Sequence, residues 1–165
     1  EALCTAYYHT FGTDVRVIRN FNTFGPRQKS SGYGAVISIF ARRALDNRPI
    51  LIYGDGSQTR DYQYIDDAVS GYLISQTIPA GTIMNTGFGE DFTINEIAEK
   101  IIEISKSSSN IVHTDARPGE VLKLRADITK AKSLGYTPQF SLEAGLKDFI
   151  AWMSKYDMES MGYMT

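Results

Sequence analysis

The sequence predicts an α/β fold, because helical and strand-like patterns alternate from its first residues onward. An apolar helical pattern opens the chain and ends at Gly12, a residue suited to the left-handed conformation that closes many helices. The β-branched run 15–19 then predicts a strand. Turn-forming residues dominate 21–32, so we expect the chain to leave the sheet there in a long loop. Loops that follow strands are where α/β proteins place their ligands.

The central part of the chain continues this alternation. Apolar residues on one face predict a helix at 35–45, which Asn47 and Pro49 end. The remaining predicted elements of this part are strands at 50–53, 62–65 and 82–85, a turn at 54–57, and a helix capped by Asp66 that runs to about residue 76.

The last third begins with a clear helix signal. Thr93 and Glu96 have the spacing of a capping box, and a stripe of isoleucines follows them. The sequence then predicts short strands at 111–113 and 121–124, a small helix capped by Asp127, and a final helix from Ser141 through Trp152. We expect residues 1–156 to form one folded unit and the polar tail 157–165 to be disordered.

Composition narrows the class of protein. With 165 residues, 42% of them hydrophobic and 22% charged, the chain matches an ordinary soluble domain with one core. A net charge of −2 without any long Lys/Arg block argues against nucleic acid as a partner. No apolar run approaches the ~20 residues of a membrane span. The single cysteine, Cys4, cannot form an internal disulfide, so we expect a packing role for it and a cytoplasmic location.

Three candidate motifs are better explained by structure than by chemistry. Gly87-Phe88-Gly89 follows a predicted strand, but the third glycine of a dinucleotide fingerprint would fall at Phe92, so a connecting turn is predicted. His9 and His113 are far apart and fit no metal-ligand spacing. The Asp66-Asp67 pair is typical of a helix N-terminus.

Arginines in three separate loops are the strongest chemical signal. Arg27, Arg60 and Arg117 each lie in a loop rich in Gly or Pro beside a predicted strand end. A guanidinium binds phosphate through two parallel hydrogen bonds and keeps its charge, so arginines that converge from different loops suit a diphosphate. Tyrosines nearby offer flat surfaces for a base or sugar ring, namely Tyr53, Tyr62 and Tyr64.

At these same residues the sequence resembles the extended short-chain dehydrogenase/reductase family, the NAD-dependent epimerases and dehydratases of nucleotide sugars. The resemblance covers 1–152 and is carried by two long segments, RNFNTFGPRQ at 19–28 and IYGDGSQTRDYQYIDD at 52–67, with RPGE at 117–120 in support. It implies the C-terminal portion of a Rossmann-like parallel sheet plus a small mixed α/β substrate-binding subdomain.

The resemblance also implies roles for individual residues. Asn22 would hydrogen-bond the substrate diphosphate, while Arg60 and Arg117 would clamp its two phosphates. Phe21 would lie against the nicotinamide side of NAD. The nucleoside pocket would be lined by Gly34, Ala35, Leu51, Ile52 and Tyr53, with Tyr62 beside it and Glu120 near the ribose.

The catalytic groups of such enzymes are absent from these 165 residues. Relatives carry a Gly-x-x-Gly-x-x-Gly loop and a Tyr-x-x-x-Lys pair, in which the Tyr is the general base at the sugar C4 hydroxyl. Tyr7 and Tyr8 do not substitute, because no Lys lies four residues on. We therefore expect no catalytic residue in this chain, which resembles the part of the family that begins just after the catalytic pair, and NAD bound mainly by an N-terminal half that these residues do not include.

Three functions stay open at this point. The first is the substrate-binding portion of a 4-epimerase acting on a UDP-hexose. The second, within the same family, is a UDP-glucuronate decarboxylase or a nucleotide-sugar 4,6-dehydratase. The third is a non-catalytic nucleotide-sugar-binding module. We also expect a homo-oligomer, since a parallel sheet without its neighbouring strands would leave an open edge and an apolar face.

Overall fold

Helices and parallel strand pairs alternate along the computed structural model, which describes residues 1–30 and 35–156. The helices are α1 (Ala2–Phe11), α2 (Val36–Leu45), α3 (Ile65–Ser75), α4 (Ile94–Ser105), α5 (Thr129–Ser133) and α6 (Leu142–Lys155). The strands are β1 (Val17–Asn20), β2 (Asn22–Phe24), β3 (Ile50–Tyr53), β4 (Thr59–Arg60), β5 (Tyr62–Tyr64), β6 (Ile83–Thr86), β7 (Phe92–Thr93), β8 (Ile111–Thr114) and β9 (Lys123–Leu124). Gly34 and the tail 157–165 lie outside the described residues.

The strands form parallel pairs and one mixed sheet. β1 pairs with β6, β2 with β5, and β3 with β8, each in parallel. β4 lies between β7, which is antiparallel to it, and β9, which is parallel. This arrangement confirms the predicted fold class, a Rossmann-like parallel portion with a small mixed α/β part.

Two hydrophobic clusters hold these elements together. The larger one lies between helices α2, α4 and α6 and strands β3 and β5, and its centre is fully enclosed at Ile97, Leu146 and Phe149. The smaller one includes Met84 of β6 and Tyr136. Burial of these apolar side chains is the main favourable term in folding.

The predicted helix ends are largely confirmed. Gly12 closes α1 in the left-handed conformation, with φ 65°. Thr93 and Glu96 form the capping box of α4, and the Ser141 hydroxyl caps α6 by accepting the Ala144 N–H. The prediction that Asp66 caps α3 was wrong, because the chain passes directly from β5 into the helix and Tyr64 is its N-terminal boundary.

The structure also corrects the predicted loop at 21–32. Asn22–Phe24 is a strand, β2, in register with Tyr62–Tyr64 of β5. Its three residues stand among turn formers, and its partner is about 40 positions away, so no local pattern indicates it. Cys4 is half-buried on α1, a helix with no fully buried residue. Within the described ranges, none of the helices has the length and apolar character required to traverse a bilayer.

Candidate functional site

Arg60 lies on the central strand of the mixed sheet. Strand β4 sets it opposite Phe92 of β7 and Leu124 of β9, and its side chain is 17% exposed. Nη1 donates to the Thr59 carbonyl at 2.8 Å, and Nη2 lies 3.5 Å from Oε1 of Glu120. A guanidinium has five N–H donors, so these two contacts leave capacity for a further anion.

Arg117 stacks on an aromatic ring at the end of β3. Its guanidinium carbon lies 3.8 Å from the centroid of Tyr53, whose side chain is partly exposed. The Gln58 amide holds this strand end by donating to the Tyr53 carbonyl at 2.9 Å. The Glu120 N–H lies 3.4 Å from the Arg117 carbonyl, so one tight turn carries both Arg117 and the acidic partner of Arg60.

Asn22 reaches the same region from β2. Its side-chain amide donates to the carbonyl of Asp61, the residue after Arg60, at 2.9 Å. The amide has a second N–H, which remains available for a phosphate oxygen. Tyr62 stands opposite Asn22 in the parallel pair, and its side chain is buried in the larger cluster, where burial raises the pKa of its phenol.

The structure thus brings together four of the residues that the sequence singled out. Arg60 contacts Glu120, Glu120 shares a turn with Arg117, and Asn22 is joined to Arg60 through Asp61. Two permanent cations and a neutral amide are chemically suited to a diphosphate, and the Tyr53 ring lies against one of these cations, Arg117.

Other predicted residues lie elsewhere or contribute differently. The Ile52 side chain is 1% exposed within the larger cluster, and Ala35 is buried. Leu51 is half-buried on the opposite face of β3. Phe21 packs against the smaller cluster, and its N–H donates to Thr86. Arg27 is exposed in a turn at φ 70°.

Asp61 is a central residue of this region to which the sequence analysis gave no role. Its carboxylate is fully buried and accepts the backbone N–H groups of Phe88 at 2.8 Å, Gly89 at 2.9 Å and Ala126 at 3.1 Å. Burial raises the pKa of this carboxyl, while the three N–H donors act in the opposite direction. Its position inside the 52–67 segment was the only available signal.

These contacts also explain the Gly87-Phe88-Gly89 turn. The N–H groups of Phe88 and Gly89 that a nucleotide phosphate would require are bound to Asp61. The prediction of a connecting turn is therefore confirmed.

Two cavities in the described part of the chain lie away from Arg60 and Arg117. One of about 430 Å³ is lined by Gly89, Arg125, Ala126, Asp127, Ile128, Thr129 and Lys132. A second, of about 280 Å³, is lined by Lys100, Glu103, Ile104, Lys106, Glu143 and Lys147. Neither lining includes Asn22, Arg60 or Arg117.

Comparison with known proteins gives these residues a context. Residues 1–149 match the family model described as GDP-mannose 4,6 dehydratase. A Bacillus cytotoxicus relative named UDP-N-acetyl-alpha-D-glucosaminuronate decarboxylase is 36% identical, over 95% of this chain and 51% of its own length.

Solved structures agree with this match. The UDP-glucose 4-epimerase of Thermotoga maritima, crystallised with UDP-glucose, has a TM-score of 0.87 and 35% identity, over 90% of this chain and 48% of its own. A Bacillus cereus UDP-glucuronic acid 4-epimerase, in complex with UDP-glucuronic acid and NAD, has a TM-score of 0.84 and 31% identity, over 93% and 49% of the two chains. The chain therefore spans about half the length of these relatives.

Proposed function

This chain belongs to the GDP-mannose 4,6-dehydratase family of nucleotide-sugar enzymes, and we propose that it is the substrate-binding portion of an NAD-dependent 4-epimerase of UDP-hexoses. The observation that carries the proposal is the junction of Asn22, Arg60 and Arg117, which supplies two fixed cations and an amide for one diphosphate. The Thermotoga maritima structure, which contains UDP-glucose, supports this class of substrate.

We assign a role to each residue of the site from its burial and its charge. Arg60 and Arg117 neutralise the two phosphates, and the Asn22 amide fixes the position of the diphosphate by a hydrogen bond. Tyr53 presents its ring to the nucleoside, while Glu120 lies near the ribose and withdraws from Arg60 as the phosphate binds. We assign the rest of the nucleoside pocket to Gly34, Ala35, Leu51, Ile52 and Tyr62. The Ile52 side chain is in the core, so we expect this residue to support its strand and not to contact the nucleoside directly.

Among the described residues, Phe21 is our candidate for contact with part of an NAD molecule. Phe21 follows Asn20, the carboxyl end of the parallel strand β1, which is where open α/β sheets bind dinucleotides. We assign Phe21 to the nicotinamide side and the rest of NAD binding to other residues of the intact protein. The residues described above would hold the nucleotide so that the sugar C4 reaches the cofactor, and NAD, when bound, would supply hydride exchange there.

Removal of the Arg60 guanidinium, which would bind one phosphate through two hydrogen bonds, tests the binding assignment. We expect Arg60→Ala to weaken UDP binding to the intact protein about tenfold or more, as measured by titration calorimetry. Arg42→Ala is the matched control, since Arg42 also pairs with a carboxylate, Asp46, but lies on α2. UDP affinity that is unchanged in Arg60→Ala would overturn the assignment.

Turnover tests the proposed reaction. The intact protein incubated with NAD and UDP-glucose or UDP-N-acetylglucosamine is expected to form the C4 epimer, detectable by chromatography of the nucleotide sugars. Complete absence of an epimer from both substrates would contradict a 4-epimerase acting on them.

A decarboxylase is the second candidate, favoured by the 36% identity to the Bacillus cytotoxicus enzyme. A 4,6-dehydratase is its counterpart within the same family. Release of CO₂ from a UDP-uronic acid, or formation of a 4-keto-6-deoxy sugar, would distinguish these reactions from epimerisation. UDP binding without any turnover would favour the non-catalytic module.

We further propose a cytoplasmic homo-oligomer. Leu3, Tyr7 and Phe11 of α1 are 70%, 49% and 71% exposed and recur every four residues, which places them on one face of the helix. An apolar stripe of this kind is typical of a surface that is covered in the intact assembly. Light scattering on the intact protein tests the assembly, and a monomer would contradict it.

A further inference from the structure

We propose that Asp61 is the positioning residue of the diphosphate site, acting through the backbone and not by touching the substrate. This inference rests on the proposed function, because it concerns how Asn22 and Arg60 are held for a UDP ligand. Asp61 is 0% exposed and follows Arg60 directly, yet its own side chain points away from the site into a cluster of backbone N–H groups.

The main chain of Asp61 connects two of the phosphate-binding residues. Its carbonyl accepts the Asn22 amide at 2.9 Å, which fixes the rotation of that amide and aims its second N–H. Its N–H donates to the Leu124 carbonyl at 2.9 Å, and Leu124 stands opposite Arg60 in the β4–β9 pair. Any shift of Asp61 therefore moves both Asn22 and Arg60.

The carboxylate fixes that main chain from the other side. It binds Phe88 and Gly89 in the turn after β6, and Ala126 two residues beyond β9. A charged acceptor shared by three backbone donors, of which Ala126 is buried and Phe88 and Gly89 are half-buried, is a strong connection, and each donor left without it would be costly. The turn and β9 are thus locked to the one residue that separates Arg60 from Tyr62.

Close packing at Gly87 reinforces the same arrangement. A Cβ atom at Gly87 would lie 2.7 Å from the Cβ of Ala126 and 3.0 Å from Oδ2 of Asp61. The turn therefore approaches the carboxylate as closely as a residue without a side chain allows.

Asp67 provides a matched comparison within the same chain. It is 1% exposed, and its carboxylate also accepts two backbone N–H groups, those of Gln139 at 2.7 Å and Phe140 at 3.2 Å. Burial raises the pKa of both carboxyls. These bonds join α3 to the segment before α6, so Asp67 is a structural carboxylate that does not touch the phosphate-binding residues.

The test compares Asp61→Asn with Asp67→Asn in the intact protein. Each substitution keeps the size of the side chain but turns an NH₂ group toward N–H donors, so each leaves at least one donor without its acceptor. Calorimetric titrations with UDP and with uridine are made at a temperature where circular dichroism shows all variants to be folded. We expect Asp61→Asn to weaken UDP binding about tenfold while uridine binding changes by less than about twofold, and Asp67→Asn to change neither.

The outcomes separate the inference from the proposed function. If the wild-type protein does not bind UDP, the proposed function fails and the inference with it. If the wild type binds UDP but Asp61→Asn binds it equally well, or if both variants lose UDP and uridine affinity alike, Asp61 is only structural and the inference alone is overturned.

A wild-type measurement covers the case in which Asp61→Asn does not fold. In amide NMR spectra of the intact protein, addition of UDP is expected to shift the Gly89 and Ala126 signals, whose N–H groups bind Asp61, and to leave those of Gln139 and Phe140 unchanged. UDP binding without a shift at Gly89 and Ala126 would contradict the inference.

Discussion

The contact between Arg117 and Tyr53 shows how one aromatic side chain can hold a charged group in place before a ligand binds. The guanidinium carbon lies over the ring, 3.8 Å from its centroid, a distance at which the negative face of the ring attracts the cation. The stack restricts the rotamers of a long side chain before any phosphate arrives, so less entropy is lost on binding.

This contact predicts that the ring of Tyr53, and not its hydroxyl, matters for affinity. Tyr53→Ala is expected to weaken UDP binding by about 2- to 5-fold, in keeping with a partly exposed cation–π contact, and Tyr53→Phe is expected to retain wild-type affinity. Titration calorimetry measures both. Equal losses in the two variants would show that the hydroxyl carries the effect.

Individual residues also show what the sequence could and could not reveal. The loop arginines stand out because guanidinium chemistry and turn composition are both local properties. The role of Asp61 is not local, since its donors Phe88 and Ala126 are 27 and 65 positions away. Hydrogen bonds between distant segments become visible only after the chain has folded.

Among the elements, α4 shows how local signals determine an element. The Thr93 hydroxyl accepts the Glu96 N–H at 3.1 Å, and the Glu96 carboxylate accepts the Thr93 N–H at 2.7 Å. The buried face of the helix then packs at Ile94, Ile97 and Ile101. Capping and periodicity agree here, so the sequence predicted this helix, whereas the three-residue strand β2 depends on its pairing with β5.

Loss of the cap is expected to destabilise the fold without affecting the site. Thr93→Ala should lower the free energy of unfolding by ~1 kcal/mol, since one N–H at the start of α4 loses its acceptor. Urea denaturation monitored by circular dichroism measures the change. UDP affinity is expected to stay at the wild-type value, and no loss of stability would contradict the role given to the cap.

The same cap predicts a pH dependence. The Thr93 N–H holds the pKa of the Glu96 carboxyl below its usual value of 4.5. A lowered pKa in the folded state means that this contribution to stability is present above the usual value and is lost as the pH falls through the folded-state value.

Glu96→Gln isolates that contribution. The difference in unfolding free energy between wild type and Glu96→Gln is expected to be largest near neutral pH and to shrink as the pH falls through 4.5 and below. Urea denaturation at several pH values measures it. A difference that is constant over this interval would contradict the proposed charge-assisted cap.

At the scale of the whole molecule, two clusters of apolar side chains support one polar junction. The larger cluster packs against β3 and β5, and the smaller one packs against β6 and the segment around Ala126. Asp61 connects the two regions through its hydrogen bond to the Ala126 N–H. The alternation of helices and strands predicted this α/β architecture, because each element carries its own periodic pattern. The division into parallel pairs and one mixed sheet depends on long-range contacts that such patterns do not encode.

The central claim concerns three residues that reach one place from different parts of the chain. A crystal structure of the intact protein with UDP-glucose tests it most directly. We predict diphosphate oxygens within hydrogen-bonding distance of the Asn22 amide and of the Arg60 and Arg117 guanidinium groups. Density for UDP-glucose elsewhere, for example in the cavity lined by Gly89, Arg125 and Lys132, without contact to these three side chains would contradict the account.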